Sequence, residues 1–206
     1  MLFSVALLAA RIRLTGHQSL RFLLWNLFLA MLPFGASWVL REAHERVPRL
    51  ARSGLFAPLW VLWLVFWPNA PYLLTDLIHL APRSDVPLWV DLLLLLSCAH
   101  NGLLLGFGSL VDIERTIELR FERHQWPRLV VVGSVISLGA FAMFLGRFHR
   151  WNSWDLWFRP REVLNDMLAI ALHPFAHRAA WCFTIAVSGF LAVGYGQFRS
   201  RAIAAS

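Results

Sequence analysis

WPNAPYLLTDLIHL, residues Trp67 to Leu80, is the stretch whose reading decides the fold. Pro68 and Pro71 interrupt an apolar run that begins at Leu55, and the run resumes carrying Asp76 and His79. Proline inside a helix removes a backbone donor and crowds the preceding turn, and ionisable side chains are rare where hydrocarbon surrounds the chain. Leu55 to Trp67 alone is too short for a hydrocarbon core of roughly 30 Å, whereas Leu55 to Leu80 would reach about 39 Å if helical throughout. The stretch therefore predicts one discontinuous span, broken at Pro68–Pro71, with its irregular backbone packed against protein.

Composition agrees with a membrane setting. The chain has 206 residues, 58% of them hydrophobic and 15% charged, with a mean hydropathy of +0.57; a soluble domain carries about 25% charged residues. The expected fold is an all-α, polytopic transmembrane helix bundle forming a single integral membrane domain over residues 1–206. The net charge of +7 rests on 19 basic residues, every one an arginine. Lysine Schiff-base chemistry and the P-loop are thereby excluded. The arginines lie in short loops beside apolar runs, as topology signals and lipid-phosphate contacts do, and are too scattered for a nucleic-acid face. Cys98 and Cys182 sit in apolar runs without metal or disulfide spacing and read as packing residues.

Outward from the opening stretch, the other elements follow. Met1–Ala10 is apolar but half the length of a crossing and is followed, not preceded, by Arg11 and Arg13, so it reads as a retained half-span or a shortened span. The spans expected are 20–40, with Pro33 past its middle, 55–80 broken, 88–111, 129–146 and 179–198. That makes five plus a short N-terminal helix, or six if that helix crosses. Arg41–Ser53 reads as a charged loop, and Asp112–Arg128 as an extension of the third span into solvent. Pro160–Leu172 opens with proline at a helical first-turn position and places Val163, Leu164, Met167, Leu168 and Ala171 on one side, the pattern of a helix lying in the interface. If the spans alternate, the segment up to Arg21, the loop after Leu80 and the loop after Leu145 share one side of the membrane. Those loops hold nine arginines and the others ten, so charge does not fix the orientation.

Two groups of residues carry the chemistry. At the break, Asn69 or Ala70 would cap a restarted helix with Pro71 in its first turn, leaving backbone N–H groups and a positive dipole end for an anion or a polar group. Tyr72, Asp76 and His79 follow at spacings of four and three, one face of an α-helix, with Thr75 alongside. Asp76 orienting His79 as a general base, a partial metal site completed by Asp91 or Asp155, and a protonatable relay are the three chemical readings. Against them stands a carboxylate that merely pairs with a loop arginine such as Arg83, and a DxxH pair supplies two ligands where a metal needs three or four. On the third span Asp91, Cys98, Gly102 and Ser109 share a face, with Gly106 close by, a small-residue ridge for a helix-packing partner at Gly102 and Gly106. Asn26 reads as a bridge between spans. The second group is Arg147, Arg150, Trp151, Asn152, Ser153, Trp154 and Asp155, whose arginines and tryptophans suit a phosphate or anionic lipid headgroup, with Asn152 or Ser153 as a helix cap. An ordinary interfacial anchor has the same composition.

WNLFLAMLPF at Trp25–Phe34, FWPNAPYLLTDLIHL at Phe66–Leu80, WVDLLLLLSCAHNGLLLGFGSL at Trp89–Leu110 and GRFHRWNSWD at Gly146–Asp155 together resemble the bacterial membrane family known as domain of unknown function 1361. The similarity runs from about Leu20 to Pro174, with PNAPY, TDLIHL and RWNSWD as its most specific parts. It implies a multi-pass protein of the bacterial cytoplasmic membrane, and it brings no activity, cofactor or substrate with it. Three functions stay open: binding or passage of a polar or anionic solute at the broken helix; an enzyme acting on a lipid-linked phosphate, with Arg147 and Arg150 on the phosphate; and a scaffold that offers the Gly102–Gly106 ridge outward to a membrane complex.

Overall fold

The computed structural model describes residues 1–16, 18–82, 86–121 and 125–204, and among them every regular element is helical. Five helical segments are long and apolar enough to cross a membrane: 22–46, 54–79, 88–119, 129–149 and 178–202. The all-helical bundle with a short N-terminal helix is therefore the fold. The chain packs as two compact units, Met1–Glu122 and Arg123–Ser206.

In the first unit, α1 (Leu2–Thr15) ends at Gly16, whose positive φ of 70° is the left-handed position that favours glycine and whose N–H closes on the Ile12 carbonyl at 2.8 Å. The helix thus continues past Ala10 through both arginines, because Ser4, Leu8 and Arg11 form a buried stripe at helical spacing. Next, α2 (Phe22–Arg46) carries Pro33 inside and runs beyond Leu40, so the first part of the expected charged loop is helix. Its charges have partners that explain the extension: Arg41 with Asp112 at 2.7 Å, Arg46 with Glu42 at 2.7 Å, and Arg115 with Glu45 at 3.6 Å. Pro48 ends that helix and opens the short α3 (Pro48–Ala51), in keeping with the restriction proline places on the residue before it.

The broken span comprises a 3₁₀ turn (Gly54–Phe56), α4 (Ala57–Phe66), α5 (Asn69–Tyr72) and a second 3₁₀ segment (Leu73–His79). The long α6 (Leu88–Phe121) packs along α2 and along the broken span. Its far part was expected in solvent, yet Asp112, Ile113, Glu114 and Thr116 are buried, since α2 remains beside it there. Leu8, Leu23, Leu27, Ala70, Leu73, Leu94, Leu95 and Cys98 form the core of this unit.

In the second unit, α7 (Gln125–Phe144) passes into a π-helical turn (Leu145–His149), followed by α8 (Asp155–Phe158), α9 (Pro160–Leu172) and α10 (Arg178–Ala204). The single apolar side expected of α9 divides in two. Val163 and Ile170 are buried and Met167 packs against the cluster formed by Phe144, Leu145, Ile170 and Ala180, while Leu164, Leu168 and Leu172 are exposed.

Candidate functional site

The break in the second span is tighter than the sequence suggests. Trp67 N–H donates to the Trp63 carbonyl at 2.8 Å, Ala70 N–H to Trp67 at 3.1 Å and Tyr72 N–H to Pro68 at 3.0 Å, while Pro68 and Pro71 have no N–H to offer. Asn69 does not cap the restart; its amide donates to the Phe66 carbonyl at 3.0 Å. The Ala70 and Tyr72 N–H groups that a dipole-end anion site would use are thus engaged across the break. Beyond Tyr72 the chain winds as a 3₁₀ helix, in which residues three apart eclipse. Leu73, Asp76 and His79 form one row and Tyr72 leaves it, so the expected phenol, carboxylate and imidazole face reduces to carboxylate and imidazole. The Thr75 hydroxyl turns back onto the Tyr72 carbonyl at 2.7 Å.

Asp76 is 1% exposed and accepts from the Asn26 amide at 2.8 Å, so Asn26 does bridge two spans. His79 is exposed, its ring edge-to-face with Phe22 at 4.9 Å between centroids. Arg83, the loop arginine that the sequence offers to Asp76, lies outside the described residues.

Asp91 finds a partner the sequence did not announce. Arg11 Nε donates to its Oδ1 at 2.5 Å and the terminal nitrogen to Oδ2 at 3.1 Å, a two-pronged pair with both residues buried. This pair fastens α1 to α6, aided by the Asn101 amide on the Ser4 hydroxyl at 2.8 Å. The spacing of Ser4, Leu8 and Arg11 was the available signal. Asp91 therefore serves a structural contact, and no group of three or more His, Cys, Asp or Glu among the described residues is arranged to hold a metal ion.

The partner of the glycine ridge is the broken span itself. A Cβ at Gly102 would stand 2.2 Å from the Ala70 carbonyl oxygen and 2.8 Å from Leu73 Cδ1, and one at Gly106 would stand 3.3 Å from Ala70 Cβ and 3.5 Å from Pro71 Cδ. Trp67 Nε1 donates to the Gly106 carbonyl at 3.1 Å, and the Ser109 hydroxyl donates to the same oxygen at 3.0 Å. The ridge is thus filled internally, which corrects the outward-facing surface a scaffold would need.

The RWNSWD segment is organised by its carboxylates more than by its arginines. Asp155 Oδ2 accepts from the backbone N–H of Asn152 at 2.7 Å, the Asp155 N–H returns to the Asn152 carbonyl at 2.9 Å, and Oδ1 takes Arg159 at 3.1 Å. The cap therefore runs from Asp155 back to Asn152, the reverse of the expected direction. Burial acts to raise the Asp155 pKa, but the Asn152 N–H and Arg159 outweigh it and hold it below the ordinary carboxylate value. The Arg159 guanidinium lies 4.8 Å from the centre of the Trp151 ring. Asp166 accepts from Trp151 Nε1 at 2.8 Å and contacts His149 Nδ1 at 3.2 Å. Its pKa is lowered, chiefly by the Trp151 hydrogen bond, against burial and with help from His149. Arg150 takes a left-handed conformation, φ 61°, and is exposed; Arg147, Ser153 and Trp154 are half-buried. Arg159 and Asp166 were missed in the sequence because their roles depend on where the turn after α7 carries Trp151.

Five helices long and apolar enough to cross a membrane, with a buried charge pair joining α1 to α6, give the chain the composition and fold of a multi-pass membrane protein. The family model described as protein of unknown function DUF1361 matches residues 25–193, and the chain belongs to that family. No curated protein and no solved structure matches the chain.

Proposed function

We propose that the Met1–Glu122 unit, in the bacterial cytoplasmic membrane that the family resemblance implies, binds or passes a polar solute, with Asp76 as the protonatable group at the binding position. The observation that carries this reading is a carboxylate buried near the end of a span, held by the neutral amide of Asn26, on a seven-residue 3₁₀ segment. Ionisable groups at such depth mark solute or proton pathways, and 3₁₀ runs longer than three or four residues accompany hinges or strained sequence. The exposed His79 one turn beyond Asp76 supplies a second proton-accepting group toward the surface. A polar donor or a cation suits this end better than an anion, because the Ala70 and Tyr72 N–H groups are engaged across the break and Arg11 is engaged by Asp91.

The test is solute-dependent stabilisation and flux of the reconstituted protein across a broad panel. Asp76→Asn preserves shape and the link to Asn26 and is expected to abolish flux and the solute-dependent stabilisation. Equal behaviour of the wild type and Asp76→Asn across the panel would overturn the reading.

The alternative, a membrane enzyme acting on a lipid-linked phosphate, retains Arg147 and Arg150 as phosphate contacts. It draws less support, because Asp155 is engaged in closing its own turn and Asp166 in anchoring Trp151 and His149.

A further inference from the structure

About 27 Å along α2 from Asn26, by helical rise, the Met1–Glu122 unit holds a second polar cluster that the sequence did not flag. Three buried side-chain nitrogens there meet no hydrogen-bond partner among the described residues: Arg41 Nε, His44 Nε2 and Trp60 Nε1. His44 is only 4% exposed, and its Nδ1 lies 2.8 Å from the Leu40 carbonyl. A carbonyl oxygen only accepts, so Nδ1 carries the hydrogen and Nε2 of the neutral ring is a bare acceptor. Trp60 approaches edge-to-face, ring centroids 6.5 Å apart and planes at 87°, with a nitrogen that only donates. Arg41, three residues before His44 on the same face of α2, supplies a second donor at Nε.

Unmatched buried donors and acceptors are rare in folded proteins, and here they are complementary in kind. A hydroxyl group matches them in kind: its oxygen accepts from an N–H such as that of Trp60 or Arg41 and its hydrogen is donated to His44 Nε2. Charge decides against a free anion. Arg41 already pairs with Asp112 at 2.7 Å and stands 3.6 Å from Glu42, so an anion would add a charge with nothing left to balance it, whereas a hydroxyl adds none. The three nitrogens themselves are covered, while the Arg41 side chain is 32% exposed and Trp60 is half-buried, which places the cluster near the surface, at the end of one span and the start of the next.

We propose that Arg41, His44 and Trp60 form a binding site for a hydroxyl group of a polyol, presented either by a glycerol-type lipid headgroup or by a free polyol. The test uses the full chain, ¹⁵N-labelled at tryptophan, in nanodiscs, with the Trp60 indole N–H resonance assigned through Trp60→Phe. Phosphatidylglycerol is compared with phosphatidylserine, which has the same charge and no headgroup hydroxyl, and glycerol is titrated in phosphatidylcholine. A saturable shift with phosphatidylglycerol over phosphatidylserine assigns the lipid source, and one with glycerol assigns the free polyol. Either shift should vanish in His44→Phe and persist in His44→Gln, which keeps an acceptor. Should His44→Phe fail to fold, the gain in thermal midpoint in phosphatidylglycerol over phosphatidylserine should be present in the wild type and lost in Trp60→Phe. A resonance that responds to neither probe and exchanges only with water means an ordered water only and overturns the proposal, as does a response that survives His44→Phe or a midpoint gain unchanged in Trp60→Phe.

Discussion

A methyl group on Gly102 has nowhere to go. Its Cβ would stand 2.2 Å from a backbone oxygen, that of Ala70, which no side-chain rotation relieves. In an open helix interior Gly→Ala gains roughly 0.5–1 kcal/mol of stability. At Gly102 the overlap reverses the sign, and Gly102→Ala is expected to cost about 1–3 kcal/mol in detergent unfolding. Gly189→Ala, with nothing within 4 Å, should be neutral or slightly stabilising, and Gly106→Ala, at 3.3 Å from Ala70 Cβ, should fall between. An equal response at Gly102 and Gly189 would contradict the packing. The buried Arg11–Asp91 pair gives a second prediction at this scale. Removing one partner leaves an uncompensated buried charge, so Arg11→Met or Asp91→Leu alone should cost about 3–5 kcal/mol, while the double replacement should cost much less. A double-mutant cycle in unfolding free energy measures the difference.

At the scale of the element, α9 is a helix with two apolar faces. Ile170→Ala opens space in the core beneath it and should cost about 2–5 kcal/mol, whereas Leu168→Ala removes an exposed side chain and should leave unfolding nearly unchanged. Tryptophan substituted at Leu168, quenched by brominated lipid, would show directly that this face meets the bilayer. The attachment of α9 to the turn after α7 also has a pH dependence of known sign. Asp166 has a lowered pKa in the folded state, so its contribution is present above the ordinary carboxylate value near 4 and is lost as pH falls through the lower folded value. The protection factor of α9 amides, corrected for intrinsic exchange, should therefore fall at acid pH in the wild type and lose that dependence in Asp166→Asn. The periodicity of α9 was legible in the sequence, but its division into a packed and an exposed face was not, because both faces are built from the same leucine, valine and isoleucine types. The 3₁₀ winding of Leu73–His79 was hidden for a similar reason: TDLIHL suits an α-helix equally well, and the tightening goes with the neighbouring prolines and the pressed contact at Gly102.

For the whole molecule, five described segments are long and apolar enough to cross, and alternation through the bilayer is the expected topology, with α1, about 21 Å long at 14 residues, shorter than a crossing. Single cysteines at Ser53 and Ser200, in a background without Cys98 and Cys182, are expected to react with an impermeant maleimide from one side, and cysteines at Ala81 and His173 from the other. Labelling of Ser53 and Ala81 from the same side would remove the second crossing. The all-helical membrane fold, the number of long spans, the interruption at Pro68–Pro71 and the helix opening at Pro160 were determined by the sequence alone. Length of apolar runs and the chemistry of proline are local properties that bilayer thickness converts into structure. Which polar groups meet was decided only by the tertiary structure. Arg11 and Asp91 lie 80 residues apart, Asn26 and Asp76 lie 50 apart, and the glycine ridge met its partner within the same chain. In a medium that offers no water to a buried charge or amide, such groups must find one another through space, and no spacing along the chain records the partner they find.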